Sequence, residues 1–371
     1  MVVVKKLTLA EASAILIGTQ IGAGVLGLPY AFREAGFAGI VVITAVGFLT
    51  LLTALFVLEL AVHRGGTMTS LARATLGKVG GWLMLASISV LSYGALIAYI
   101  AGSGDILSSL TGVDGTAASV AFWLVMSAVV LMGLKASGEA ELVLNFLLLG
   151  ALAVAVALML PKVRPANMIP ANTGALVSGV GVAIFAYVSH MVVPEMYKGL
   201  GSVEKTKKAV LIGYLVPMGF YALFVLAFVG SLGKGTPQLA TSALEGYYGG
   251  LGKVLGLVLP LAAISTSYIG IGFAQMDNLR EAFNLDKRAA WLLTVLPPLA
   301  VYLAGLKSFV SALWLAGTFG GLLYAGILPV AMYLRTRNVH PPKCVRVPHG
   351  VAYLVGTVFL LVLVYSVVSV I

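Results

Sequence analysis

Four glycines and a proline crowd one stretch near the start of the chain, Gly18-Thr19-Gln20-Ile21-Gly22-Ala23-Gly24-Val25-Leu26-Gly27-Leu28-Pro29. The surrounding segment is apolar and long enough to cross a bilayer. Glycine and proline are poor helix formers, so a helix entering here should loosen at Gly22-Ala23-Gly24 and release backbone N–H and C=O groups. In hydrocarbon, such groups are tolerated only where protein or a water-filled cavity meets them. Freed N–H groups at the start of a new half-helix attract anions, with the positive end of the helix dipole behind them. The stretch therefore reads as a break forming the floor of a small-molecule site. Close helix packing through small residues is the competing use of the same glycines.

A second interrupted stretch is Gly179-Val180-Gly181-Val182-Ala183-Ile184-Phe185-Ala186-Tyr187-Val188-Ser189-His190-Met191-Val192-Val193-Pro194. Tyr187, Ser189 and His190 break its apolar run, and Pro194 occupies the position near the end of its span that Pro29 occupies in the first. His190 is the one histidine in the interior of an expected span, His349 standing at the edge of the last, and an ionisable residue at membrane depth is a functional candidate by default. A hydrogen bond between helices is its structural alternative. Ser265, Thr266 and Ser267 form the densest hydroxyl cluster within any span, suited to a hard cation or, more blandly, to bonding back onto their own helix. Ser89, Ser92, Tyr93 and Tyr99 recur at roughly helical spacing. Tyr93 could cover a bound ligand; an ordinary packed tyrosine is the alternative.

The elements that must carry these residues follow from composition. Hydrophobic residues make up 60% of the 371 and charged residues 10%, against about 25% charged in a soluble domain. The chain is a polytopic membrane protein by this measure, not a soluble enzyme. Eleven apolar spans of roughly the ~20 residues a crossing helix needs lie at about 9–32, 36–62, 80–110, 117–134, 139–160, 173–197, 208–232, 250–276, 289–306, 309–335 and 349–371. With the N-terminus inside, Arg33, Lys162, Arg164, Lys234, Lys253 and Lys307 are the basic residues of the outer segments, and the other seventeen of the 23 are inside. The positive-inside rule then puts the N-terminus in the cytoplasm and the C-terminus outside. The same bias accounts for the net charge of +10 better than a nucleic-acid partner does. Cys344 is the single cysteine, which excludes an intrachain disulfide framework. Met1–Lys6 shows no cleavable-signal pattern. The loop from Arg64 to Lys78 should hold a short surface helix whose basic residues suit anionic lipid headgroups.

Spans one to five and six to ten have interruptions at matching places. Because five is odd, a second copy must enter the membrane in the opposite sense, as in inverted-repeat transporters. Other motifs do not survive this frame. Gly22-x-Gly24-x-x-Gly27 follows no strand, so it is no dinucleotide fingerprint. There is no P-loop and no Cys/His metal cluster. Glu139 and Glu141, beside Lys135, read as solvated or paired.

Gly22-Ala23-Gly24-Val25-Leu26-Gly27-Leu28-Pro29-Tyr30-Ala31 resembles the first-helix signature of the amino acid/auxin permease family and its hydroxy/aromatic amino acid permease relatives, and Thr266-Ser267-Tyr268-Ile269-Gly270-Ile271 is similar to the short Thr-Ser motif those permeases carry in span eight. The resemblance implies the five-plus-five inverted repeat of the amino acid–polyamine–organocation superfamily. The expected fold is all-α and polytopic: eleven transmembrane helices, LeuT-like, with helices one and six broken and one extra C-terminal helix. It forms a single transporter domain with repeats at 9–160 and 173–335 and the extra helix at 349–371. The expected activity is ion-coupled symport of a neutral L-amino acid by alternating access across the plasma membrane, with spans one, two, six and seven rocking against the rest.

On that basis Gly22, Ala23, Gly24 and Val25 would hold the substrate carboxylate. Carbonyls near Phe185, Ala186 and Val188, with Thr19, would take the ammonium. Tyr187, His190, Tyr93 and Thr318 would complete the pocket, with Trp314 and Phe319 closing it from outside and Glu195 near the inner surface. The implied sodium ligands are carbonyls of Gly18, Ile21 and Ala263 and hydroxyls of Thr266 and Ser267. The middle of span five, Leu144-Asn145-Phe146-Leu147-Leu148-Leu149-Gly150, has no lysine to stand in for the ion, which favours sodium. Gly18 replaces the asparagine usual in sodium-coupled members, which keeps proton coupling open. Partners are the amino acid and membrane lipids, with no organic cofactor. A non-transporting amino acid receptor and a channel are the readings from other classes; no soluble signalling domain and no filter motif supports them.

Overall fold

The computed structural model describes residues 7–133, 138–169 and 172–369. Within them every regular element is helical. Lys5, Lys6 and Lys135, expected on the inner side, lie outside the described residues.

The first span is broken. Helix α1 (Leu9–Gln20) starts from a capping box between Thr8 and Glu11 and ends where the glycines begin. A tight 3-10 turn (Ala23–Gly27) and α2 (Leu28–Phe32), with Pro29 in its first turn, complete the crossing, bent by 43° from α1. A long α3 (Gly36–Arg64) follows. Helix α4 (Met68–Thr111) includes the expected short helix of the 64–78 loop, set off by a kink at Gly77, where φ is +77° and only glycine is comfortable. Then come α5 (Gly115–Met132) and α6 (Gly138–Met159).

The second interrupted span divides into α7 (Thr173–Tyr187) and α8 (Val192–Leu200), and α9 (Val203–Leu232) packs across both breaks. Helix α10 (Leu244–Lys253) leads through a π-helical turn at Val254–Val258 into α11 (Leu259–Phe283). Helix α12 (Lys287–Leu303) precedes α13 (Phe309–Leu315), a π-helical stretch (Ala316–Ile327) and α14 (Leu328–Arg337), which together make one continuous crossing. The last helix, α15 (His349–Val368), leaves an apolar flank exposed at Leu354, Leu361 and Val368, as a lipid-facing helix should.

Among the described residues, eight helices are long and apolar enough to cross a membrane, nine if the bent pair at the start is one span. Sequence reading expected eleven. Two of the expected spans are not among these: α6, whose helix runs 22 residues and of which Phe146–Lys162 counts as a shorter apolar stretch, and α12, which is 17 residues long and contains Pro297 and Pro298.

Candidate functional site

The first break is built by the backbone. The N–H of Gly22 bonds the carbonyl of Gln20 at 2.9 Å, not that of Gly18 four residues back. Ile21, at φ −84° and ψ 69°, closes this inverse γ-turn. The chain then restarts as a helix at Ala23, so the N–H groups of Ala23 and Gly24 have no preceding turn to bond. Phe185 of α7 lies on Gly24: a β-carbon there would sit 2.7 Å from the ring.

The second break starts after Tyr187 and ties itself to the first. Tyr221 of α9 places its hydroxyl 2.7 Å from the Gln20 carbonyl and 3.0 Å from the Ala186 carbonyl. The Gln20 amide Nε2 donates to Ser189 Oγ at 3.0 Å. Ser189 Oγ reaches Tyr214 Oη at 3.1 Å, and Tyr214 Oη reaches the Tyr187 carbonyl at 3.3 Å. The Phe185 carbonyl accepts from the N–H of Val188. The carbonyl of Val188 takes no part in these caps.

A cavity of about 1040 Å³ opens from the two breaks toward the face that carries residues 66–70 and 277–282. Gly18, Thr19, Gly22, Ala23, Gly24, Phe185, Ala186 and Val188 line it, as do Thr266 and Ser267 of α11. Most of the expected set is thus brought together. Glu195 lies at the same opening with Arg73, Asp277 and Glu281. A second cavity of about 420 Å³, lined by Tyr30, Arg33, Glu34, Asn172, Val182 and Trp314, lies on the far side of the breaks.

Four expected pocket residues face elsewhere. Tyr187 is fully buried between Tyr214 and Tyr221, because the helix ends at this residue and the next turn is unwound. His190 is also fully buried, with Nε2 3.0 Å from Thr53 Oγ1 of α3 and its ring edge-on to Tyr214 and Tyr324. Its position is the interhelical one. Tyr93 donates to the Leu293 carbonyl of α12 at 2.8 Å; Tyr99, on another face of α4, lines the cavity in its place. Thr318 is buried against Gly181. Val25 is buried behind the turn, where its backbone alone faces the break. Gln20 and Ser92, which also line the cavity, were not assigned a role from sequence. An amide beside two glycine breaks was the available signal for Gln20.

The expected cation ligands flank a separate void of about 20 Å³ lined by Gly22, Ala263, Thr266, Ser267 and leucines of α6 and α11, near the space one water needs. Thr266 Oγ1 donates back to the Ala263 carbonyl at 3.1 Å, and Ser265 does so to Leu261 at 2.8 Å. Back-bonding uses the hydroxyl hydrogen and leaves the oxygen lone pairs available, so Thr266 and Ser267, which line the void, fit a hard cation, whereas Ser265 does not line it. Ile21 and Ala263 lie beside this void or the break and are buried.

The chain is 29% identical over 388 residues to tyrosine-specific transport system 2 of Haemophilus influenzae, covering 95% of each. It is 25% identical over 400 residues to the tryptophan-specific transport protein of the same organism, covering 96% of this chain and 94% of that one. It is 25% identical over 347 residues to glutamine transporter 2 of Aliivibrio fischeri, covering 88% and 89%. In fold it is similar to a solved inward-facing conformation of Mhp1, with a TM-score of 0.64, 17% identity, and coverage of 87% of this chain and 75% of that one. The family model for the tryptophan/tyrosine permease family matches residues 5–369. The chain therefore belongs to the tryptophan/tyrosine permease family and is a multi-pass membrane transporter of amino acids, not an enzyme.

Proposed function

We propose that this transporter is a secondary active symporter that takes up a neutral aromatic L-amino acid, tyrosine or tryptophan, by alternating access with sodium as the coupling ion. The observation that carries it is the meeting of two helix breaks at one cavity, joined by Gln20–Ser189 and by Tyr221. The carboxylate is held by the N–H groups of Ala23 and Gly24 at the head of the second half-helix, with Gly22 permitting close approach and Val25 shaping the turn. The ammonium goes to the Val188 carbonyl and Thr19, near the carbonyl ends of α1 and α7. The side chain lies against Phe185 and Tyr99, a platform of aromatic rings.

Sodium is assigned to Gly18, Ile21, Ala263, Thr266 and Ser267; bound there, it would supply a positive charge beside the carboxylate site. The oxygen donors around the 20 Å³ void support it, as does the absence of a lysine in span five. Membership of the wider amino acid–polyamine–organocation superfamily, the eleven-span count and the five-plus-five repeat at 9–160 and 173–335 belong to the same proposal. So does the topology, with the N-terminus cytoplasmic, the C-terminus extracellular and lipids around the exposed flanks. With that orientation the large cavity opens to the cytoplasm.

The test is uptake in proteoliposomes with labelled amino acids under a sodium gradient, a pH gradient or neither. Sodium-driven accumulation of tyrosine or tryptophan is expected. Accumulation driven by pH alone would replace sodium with protons, and saturable binding without uptake would make the protein a receptor.

A further inference from the structure

Gln20 sits on the wall of the cavity, 2% exposed, and its side-chain oxygen Oε1 has no hydrogen-bond partner among the described residues. A buried amide oxygen without a donor is costly, and buried polar atoms are usually matched. The neighbouring hydroxyls explain why the oxygen, not the nitrogen, is left over. Tyr214 directs its hydrogen to the Tyr187 carbonyl, which can only accept. Ser189 directs its hydrogen to Tyr214 at 3.1 Å or to the same Tyr187 carbonyl at 3.4 Å. Ser189 Oγ is then free to accept only, and the Gln20 N–H supplies it. The chain Gln20 to Ser189 to Tyr214 to Tyr187 runs one way and ends on a carbonyl, which fixes the amide with Oε1 turned away from the chain.

We propose that Gln20 Oε1 reads a hydrogen-bond donor carried on the substrate's side chain, and so selects tyrosine and tryptophan over phenylalanine. This rests on the aromatic-substrate reading above. Tyrosine brings one phenolic O–H into an apolar-walled site, and tryptophan one indole N–H. Each needs an acceptor once out of water. The hydroxyls of Ser189, Tyr214 and Tyr221 are engaged at the two breaks, and Tyr187 Oη, which has no partner among the described residues, is buried between Tyr214 and Tyr221 and does not line the cavity. The ammonium has main-chain carbonyls nearby, whereas the side-chain donor has this amide. A site that sets out an acceptor rejects the analogue lacking the donor far more strongly than a greasy pocket rejects an isostere.

The experiment measures competition for labelled tyrosine uptake in proteoliposomes by L-tyrosine, L-phenylalanine, L-tryptophan and 1-methyl-L-tryptophan. The wild type should prefer tyrosine over phenylalanine, and tryptophan over its N-methyl form, by about tenfold or more. Gln20→Met, similar in length, removes both the acceptor and the bond to Ser189, so it should weaken both substrates but tyrosine more, bringing the tyrosine and phenylalanine constants level. Gln20→Glu keeps an acceptor and should keep tyrosine ahead. Equal affinities in the wild type overturn the proposal, and need no variant to fold. So does a Gln20→Met protein that weakens tyrosine and phenylalanine by the same factor, which is the pattern expected if the amide serves the ammonium. A wild type that takes up no aromatic amino acid at all sinks the substrate reading itself, a different failure from losing selectivity at Gln20.

Discussion

Gly24 and Phe185 are in direct contact across the two breaks, with room for no atom between them: a β-carbon on Gly24 would lie 2.7 and 2.8 Å from two ring atoms. Gly24→Ala must push the half-buried ring toward the cavity, where the substrate is proposed to lie. The backbone itself needs no unusual angle here, so folding should survive. Apparent affinity for the amino acid should fall about tenfold, in the range of one displaced packing contact, with thermal stability near wild type. Phe185→Leu should restore part of the loss in the double variant. Unchanged affinity in Gly24→Ala would remove Phe185 from the site.

Among the described residues, Tyr221 is the one side chain that bonds carbonyls of both broken helices, those of Gln20 and Ala186. Tyr221→Phe keeps the ring, which packs on Tyr187 at 4.9 Å between centroids, and removes only the hydroxyl. Leaving a buried carbonyl short of its donor costs about 1–3 kcal/mol. The variant should melt lower than wild type and transport more slowly, while Tyr221→Leu should add a packing loss. A Tyr221→Phe protein as stable and as fast as wild type would show that the carbonyls are satisfied by water.

The position of both breaks was legible because glycine and a polar Ser-His pair weaken a helix wherever they fall. Which side chains turn into the cavity was less so. Tyr187 and His190 flank the unwound residues Val188 and Ser189, so helical periodicity stops being a guide at the place where it was needed. Tyr93 and Tyr99 lie six residues apart on α4, well round the helix from each other, and only the packing of α12 decides which one is covered. The Thr266-Ser267 pair was legible as a hydroxyl cluster, and the structure adds the void beside it. Glu59 was missed although the signal was there: it is a carboxylate inside an apolar span, which is a functional or structural flag by default.

Glu59 is 2% exposed and gathers the loop before the last helix. Its carboxylate accepts from the N–H groups of Lys343, Cys344 and Val345 at 2.6, 2.8 and 2.7 Å, from the Cys344 thiol at 3.0 Å, and lies 2.9 Å from His63 Nε2. Burial and the adjacent carboxylate push the Cys344 thiol above the ordinary thiol range. At neutral pH it should stay protonated and react slowly with maleimides. Glu59→Gln presents an N–H to N–H donors and should release the loop. Labelling of Cys344, the only thiol in the chain, should then speed up by about tenfold, the response to a pKa change of one unit, and gain an ordinary rise between pH 7 and 9. Equal labelling rates in the two proteins would mean that the loop stays in place without the carboxylate.

The three hydroxyls of α11 separate ion binding from helix packing. Ser265 bonds back to Leu261 and does not line the void, so Ser265→Ala should leave sodium dependence intact. Thr266 and Ser267 line both the void and the cavity. Thr266→Val keeps the volume and removes the oxygen; Ser267→Ala does the same with one atom less. Each should raise the sodium concentration for half-maximal uptake by about tenfold, the loss of roughly 1.4 kcal/mol, and the double variant by more. Substrate affinity at saturating sodium should change less, because neither hydroxyl is assigned to the carboxylate. If uptake follows a pH gradient and all three variants behave alike, the void holds no coupling ion, and the hydroxyls serve only to bond their own helix.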